Sequence, residues 1–151
     1  MKIGEMLGEL KKEGADLKRL TELRRETFWV ENKCKPAVST AELTGRIRKK
    51  AESIRKRKLA IQENNLRTEV GGLRLAEAIL KISDLRDEIS GLNELRNGDN
   101  DHFRFRDEKE KKIAQLNPLQ LEELIGQLEA EKAKLDSRIQ SVNWKEELRK
   151  A

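Results

Sequence analysis

Aromatic residues are nearly missing from this chain: two Trp, three Phe and no Tyr among 151 residues. A broad globular core draws much of its buried area from such rings, so none is expected here. Only Pro36 and Pro118 interrupt the backbone, which leaves room for long helices. The single cysteine, Cys34, excludes an intramolecular disulfide and fits a cytoplasmic location. Charges inside MKIGEMLGELKKEG argue against a signal peptide. No apolar run approaches the ~20 residues that a membrane span needs.

What is abundant is charge. Lys and Arg number 33 and Asp and Glu 28, a net charge of +5, and together they make up 40% of the chain. Leu, Ile, Ala, Glu, Lys and Arg dominate, the composition of long helices and coiled coils. High charge with low hydrophobicity also favours disorder. Here the apolar residues recur periodically, which favours folding, and the near balance of signs keeps self-repulsion mild.

The spacing predicts a first helix over about residues 2–31, with Ile3, Leu7, Leu10 and Leu17 on one side, followed by Leu20, Leu23 and Phe28. Pro36 stops it. Ser39 followed by Glu42 is a capping-box pattern that opens a second helix, about 41–64, with Leu43, Ile47, Ala51, Ile54 and Ile61 on one side. NLRTEVGGL, residues 65–73, breaks the pattern: Thr68 and Val70 favour extended chain and Gly71-Gly72 a turn. A third helix, about 74–96, carries the seam Leu75, Ala78, Ile82, Leu85, Ile89 and Leu92, a heptad register. HFRFR, residues 102–106, and KKIAQL, residues 111–116, alternate as short strands do and are candidates to pair with 66–70. Asn117-Pro118 starts a fourth helix with the seam Leu121, Ile125, Leu128, Leu135, Ile139 and Val142, interrupted by Lys132. Asn143 and Glu146 are candidate caps of a short last turn, and Trp29 and Trp144 candidate anchors of helix ends.

RIRKKAESIRKRK, residues 46–58, holds eight bases among thirteen residues. On a helix centred on Ile47, Arg46, Lys50 and Arg57 border one edge of the apolar side and Arg48 and Arg55 the other. Lys49 and Lys56 point away, and Lys58 lies within the stripe with its ammonium reaching for water. Residues 41–63 carry eight bases against three acids, a net +5 equal to that of the whole chain. Two readings follow. Border bases can pair with acids of neighbouring helices, for example Glu122, Glu123, Glu129, Asp84 or Asp87, and set partner and orientation. Alternatively Arg46, Arg48, Lys49, Lys50, Arg55, Lys56 and Arg57 contact nucleic acid or another polyanion, each neutralised phosphate releasing counterions. The stretch has no aromatic platform for stacking bases, which disfavours single-strand recognition.

Catalytic and metal chemistry find little support. Cys34 lies between Lys33 and Lys35, whose charge can activate a thiol, yet the only histidine, His102, is remote in sequence. Asp99, Asp101, His102 and Asp107 lack an EF-hand spacing and read as a solvated turn. No cofactor motif is present.

LDSRIQSVNWKEEL, residues 135–148, resembles the ending of the septicolysin-like family of small bacterial proteins, through Leu135-Asp136, Ile139-Gln140, Asn143-Trp144 and Leu148. NNLRTEVGGLRLAEAI, residues 64–79, is similar through Asn65, Thr68, Gly72, Leu75 and Ala78. The resemblance implies a helical, coiled-coil-rich bacterial protein of unestablished role, with a hint of cytolysis in the family's name alone. The dense 46–58 run departs from that pattern.

The expectation is thus a single mainly α domain over 1–151: elongated antiparallel coiled-coil hairpins of about four helices, with a minor β element near 66–70 and 102–116. Its expected role is that of a non-catalytic scaffold or interaction protein that partners itself as a homo-oligomer. Nucleic-acid binding through 46–58 is the alternative.

Overall fold

The computed structural model describes residues 1–97 and 114–147. Among them are four helices, α1 (Ile3–Thr27), α2 (Thr40–Arg67), α3 (Leu75–Asn97) and α4 (Pro118–Lys145), and two short strands, β1 (Glu69–Val70) and β2 (Leu73–Arg74). The fold is mainly α with a small antiparallel β element, as the sequence predicts. The chain divides into two compact units, one formed by Met1–Thr68 with Val142–Ala151 and the other by Glu69–Ser141.

In the first unit, α1 and α2 form an antiparallel hairpin. Arg24 meets Thr44, Asp16 meets Lys50 and Glu9 meets Arg57, so one helix descends as the other rises. The inward residues of α2 are Leu43, Ile47, Lys50, Ile54, Arg57, Ile61 and Asn64, at alternating steps of four and three. Those of α1 are Ile3, Met6, Leu10, Glu13, Leu17, Leu20, Arg24 and Thr27. Two sequence expectations shift accordingly. Leu7 and Phe28 are 43% and 54% exposed instead of lying on the inward side of α1. Ala51 is exposed, because a strict heptad through Leu43, Ile54 and Ile61 passes through positions 50 and 57.

The ends of these helices follow local chemistry. The Ser39 hydroxyl accepts from the Glu42 N–H at 3.3 Å, the first half of the expected capping box; the return bond to the Glu42 side chain is not formed. At the far end, buried Asn64 donates from its amide to the Thr68 hydroxyl at 3.1 Å, while the Thr68 N–H donates to the Asn64 carbonyl at 2.9 Å. Trp144 packs on α1, where a Cβ at Gly4 would come within 3.0 Å of its indole. Asn143 caps nothing, since α4 continues through Lys145.

In the second unit, Glu69 pairs with Arg74 and Val70 with Leu73 across a two-residue turn. Both turn residues have positive φ, 58° at Gly71 and 85° at Gly72. That is the type I′ geometry which suits hairpin twist and which glycine adopts without a Cβ clash. Among the described residues the partner of 69–70 is 73–74. The candidate strand residues 102–113 lie outside the described residues, and 114–116 form none. On α3, Leu75, Ala78, Ile82, Leu85 and Ile89 are all buried, as predicted. Ile89, Leu121 and Ile125 cluster with Leu92 and Leu128 against them, and ion pairs Lys81–Glu131 (2.7 Å) and Arg96–Glu122 (3.9 Å) link α3 to α4. Asn117 and Gln120 exchange side-chain to backbone bonds of 2.8 and 3.1 Å, a complete capping box ahead of Pro118.

Candidate functional site

The basic helix is where the sequence places most of its unusual chemistry, and the structure splits it into sides. Lys50 and Arg57 occupy seam positions of α2. The Lys50 ammonium lies 3.2 Å from Asp16 Oδ2, and the Arg57 guanidinium reaches Glu9 Oε2 at 2.6 Å and Glu13 Oε1 at 3.5 Å. These cations meet acids of α1, not the acids of α3 and α4 considered from sequence. Glu13 keeps one buried carboxylate oxygen without a hydrogen-bond partner, so the pairing is incomplete.

Lys56 is exposed and pairs with Glu52 one turn away at 2.7 Å. This bond, then the lysine charge, holds the Glu52 carboxyl below the usual carboxylate range. Arg46, Arg48, Lys49 and Arg55 are exposed and make no ion pair among the described residues. Lys58, expected within the apolar stripe, is exposed beside it. The seven candidate contacts thus do not form one surface: two lie in the seam, one is satisfied by its own helix and four face outward.

Two open grooves lie along the hairpin. One is lined by Thr21, Arg24, Arg25, Trp29, Thr40 and Thr44, and the Arg24 guanidinium donates to the Thr44 hydroxyl at 3.1 Å. Trp29 does not anchor the helix end as expected: it is 85% exposed, with Phe28 edge-on at 5.1 Å between ring centroids. The other groove is lined by Leu17, Ala51, Ile54, Arg55, Lys58 and Leu59. Attention to 46–58 alone misses the α1 residues of these grooves. The signal that finds them is the heptad phase of α1, which puts Arg25 beside the inward Arg24.

Cys34 is exposed, with its N–H donating to the Glu31 carbonyl in a turn where Lys33 has φ 71°. Asp99, Asp101, His102 and Asp107 lie outside the described residues. Among the described residues no cluster of side chains suits a metal ion, and no helix is long and apolar enough to cross a membrane.

Over residues 11–148 the chain matches the model of a family of unknown function, DUF6847, and it belongs to that family. No curated protein matches it. A crystal structure of a functionally unknown conserved protein from Corynebacterium diphtheriae is similar, with a TM-score of 0.81, 23% identity and 99% of each chain covered. That likeness is one of fold.

Proposed function

We propose that the protein is non-catalytic and works by binding, as a homo-oligomeric coiled-coil scaffold. The observation that supports this reading is the setting of charged residues into apolar seams: Lys50, Arg57 and Glu13 in the hairpin and half-buried Lys132 in α4. Polar seam residues cost stability relative to well-packed apolar ones, and their best-attested use is to specify register and partner. Toward the back of α2, roughly 150–170° from the middle of the seam, Leu59 and Leu66 are each 54% exposed and offer apolar area to a second copy. Light scattering over a concentration series tests the reading, which fails if the mass stays that of one chain throughout. The septicolysin-like resemblance is compatible with such a protein and assigns no residue to a cytolytic step.

A second reading is binding of nucleic acid or another polyanion through α2. It is supported by the outward Arg46, Arg48, Lys49 and Arg55, which make no ion pair among the described residues. Affinity falling steeply with salt is its signature, and absence of any complex at low salt removes it.

A further inference from the structure

We propose that one side of the α1–α2 hairpin is a furrow for single-stranded nucleic acid; this rests on the second reading above and locates its site. Stepping about 100° per residue from the middle of each seam separates two sides of the hairpin. On one side stand the acids Glu9 and Asp16, engaged by Arg57 and Lys50. On the other, in an arc of roughly 60–150° from the seam, every charged residue of α1 and α2 is basic. These are Lys11, Lys18 and Arg25 on α1 and Arg48, Arg55 and Lys58 on α2. The acids Glu22 and Glu52 fall outside the arc, toward the backs of the helices. All six bases are exposed, and none is in an ion pair among the described residues.

The arrangement is regular. Lys11, Lys18 and Arg25 recur every seven residues, as do Arg48 and Arg55, so each row repeats every ~10.5 Å along its helix. Because the helices are antiparallel, Lys18 stands across from Arg48 and Lys11 from Arg55, as the Asp16–Lys50 and Glu9–Arg57 pairs fix the register. Both open grooves lie between the rows, since Thr40, Thr44, Ala51 and Arg55 share this side of α2. Their floor is Thr21, Thr44, Ala51 and Ile54, small or apolar and without carboxylates. Exposed Trp29 closes one end.

Two rows of cations flanking a neutral floor match a strand with phosphates on its edge and bases that stack on apolar and aromatic surface. The stacking platform that 46–58 lacks is supplied by Trp29, just beyond the end of α1. A duplex fits less well: a B-DNA major groove about 12 Å wide admits one helix, and two packed helices are wider than that. Six cations along the furrow make phosphate contacts dominant, so recognition is largely independent of sequence.

The test uses the full chain and a fluorescent single-stranded homopolymer that cannot pair with itself. Lys18→Gln with Arg48→Gln and Arg55→Gln removes three furrow charges. Lys12→Gln with Arg19→Gln and Arg67→Gln removes three from elsewhere on the same helices. The furrow variant is expected to bind at least about tenfold more weakly at low salt, with a salt slope shallower by about 2, and the other variant to stay within about twofold. Trp29→Ala, at a position too exposed to affect folding, is expected to weaken binding several-fold, about the loss of one stacked base. Equal weakening by both triple variants overturns the furrow and leaves general polyanion binding standing. A duplex of the same length binding more tightly overturns the single-strand assignment. If the unaltered chain binds nothing at low salt, furrow and polyanion binding fall together.

Discussion

Arg57 ties α2 to α1 through two ion pairs. Its side chain is 33% exposed and touches two carboxylates, one of them Glu13, whose second oxygen is buried without a partner. Removing the cation alone leaves two acids one turn apart on α1, Glu13 in the seam and Glu9 at its edge, without that partner. Arg57→Leu is therefore expected to destabilise the chain by about 1–2 kcal/mol in urea unfolding, solvent screening keeping this below the value for a fully buried pair. Arg57→Leu combined with Glu13→Leu is expected to recover most of that loss, and simple additivity of the two single changes would sink the account. Glu52 makes a contrasting case, because it and Lys56 are both exposed. Its folded pKa lies below the ordinary value, so the small stabilisation is present above that ordinary value and is lost as pH falls through the lowered one. Lys56→Gln should move the Glu52 titration, followed by NMR, back up toward the usual carboxylate range.

At the scale of elements, the seams show what a sequence makes legible. The α3 seam is apolar at every position from Leu75 to Leu92, and hydrophobic periodicity alone recovers it. The α2 seam puts Lys50 and Arg57 at inward positions, so a search for apolar residues slides to Ala51 and sets the stripe about 45° off. The same happens in α1, where Glu13 and Arg24 face inward and Leu7 does not. Charged seam residues become readable only when the acids of the facing helix are known, and that is tertiary information. Local signals fared differently: Ser39, Asn117-Pro118 and Gly71-Gly72 act within a few residues, and each does what its chemistry dictates. Periodicity does not find the 73–74 partner of 69–70, because a two-residue strand is too short to alternate. Gly71 gives a direct check. At φ 58°, alanine is expected to cost about 1–2 kcal/mol, while asparagine, which tolerates this conformation, should cost less. A Cβ there also comes within 2.7 Å of the Arg138 guanidinium, whose flexible end can move aside, so the backbone sets the difference. Denaturant unfolding that ranks asparagine no better than alanine would contradict the type I′ assignment.

For the whole molecule, the sign of charge differs between the two units. Residues 1–68 with 142–151 carry 21 Lys and Arg against 12 Asp and Glu, a net +9, whereas residues 69–141 carry 12 against 16, a net −4. A chain with charge separated in this way attracts a second copy wherever the basic unit of one meets the acidic unit of the other, even though both copies are net positive. Such attraction between exposed groups fades beyond about 10 Å at 0.1 M salt and weakens further as salt rises. Burial of Leu59 and Leu66 between copies responds oppositely, since apolar association is strengthened by excluded salts such as sulfate. The proposed homo-oligomer is therefore expected to have two separable contributions. Sedimentation at fixed protein concentration should show mass falling as sodium chloride is raised and partly recovering in ammonium sulfate. Leu59→Gln with Leu66→Gln should remove the recovery and leave the low-salt association. A mass that ignores both salts, while still exceeding one chain, would assign assembly to the seams and leave the charge asymmetry without a role in it.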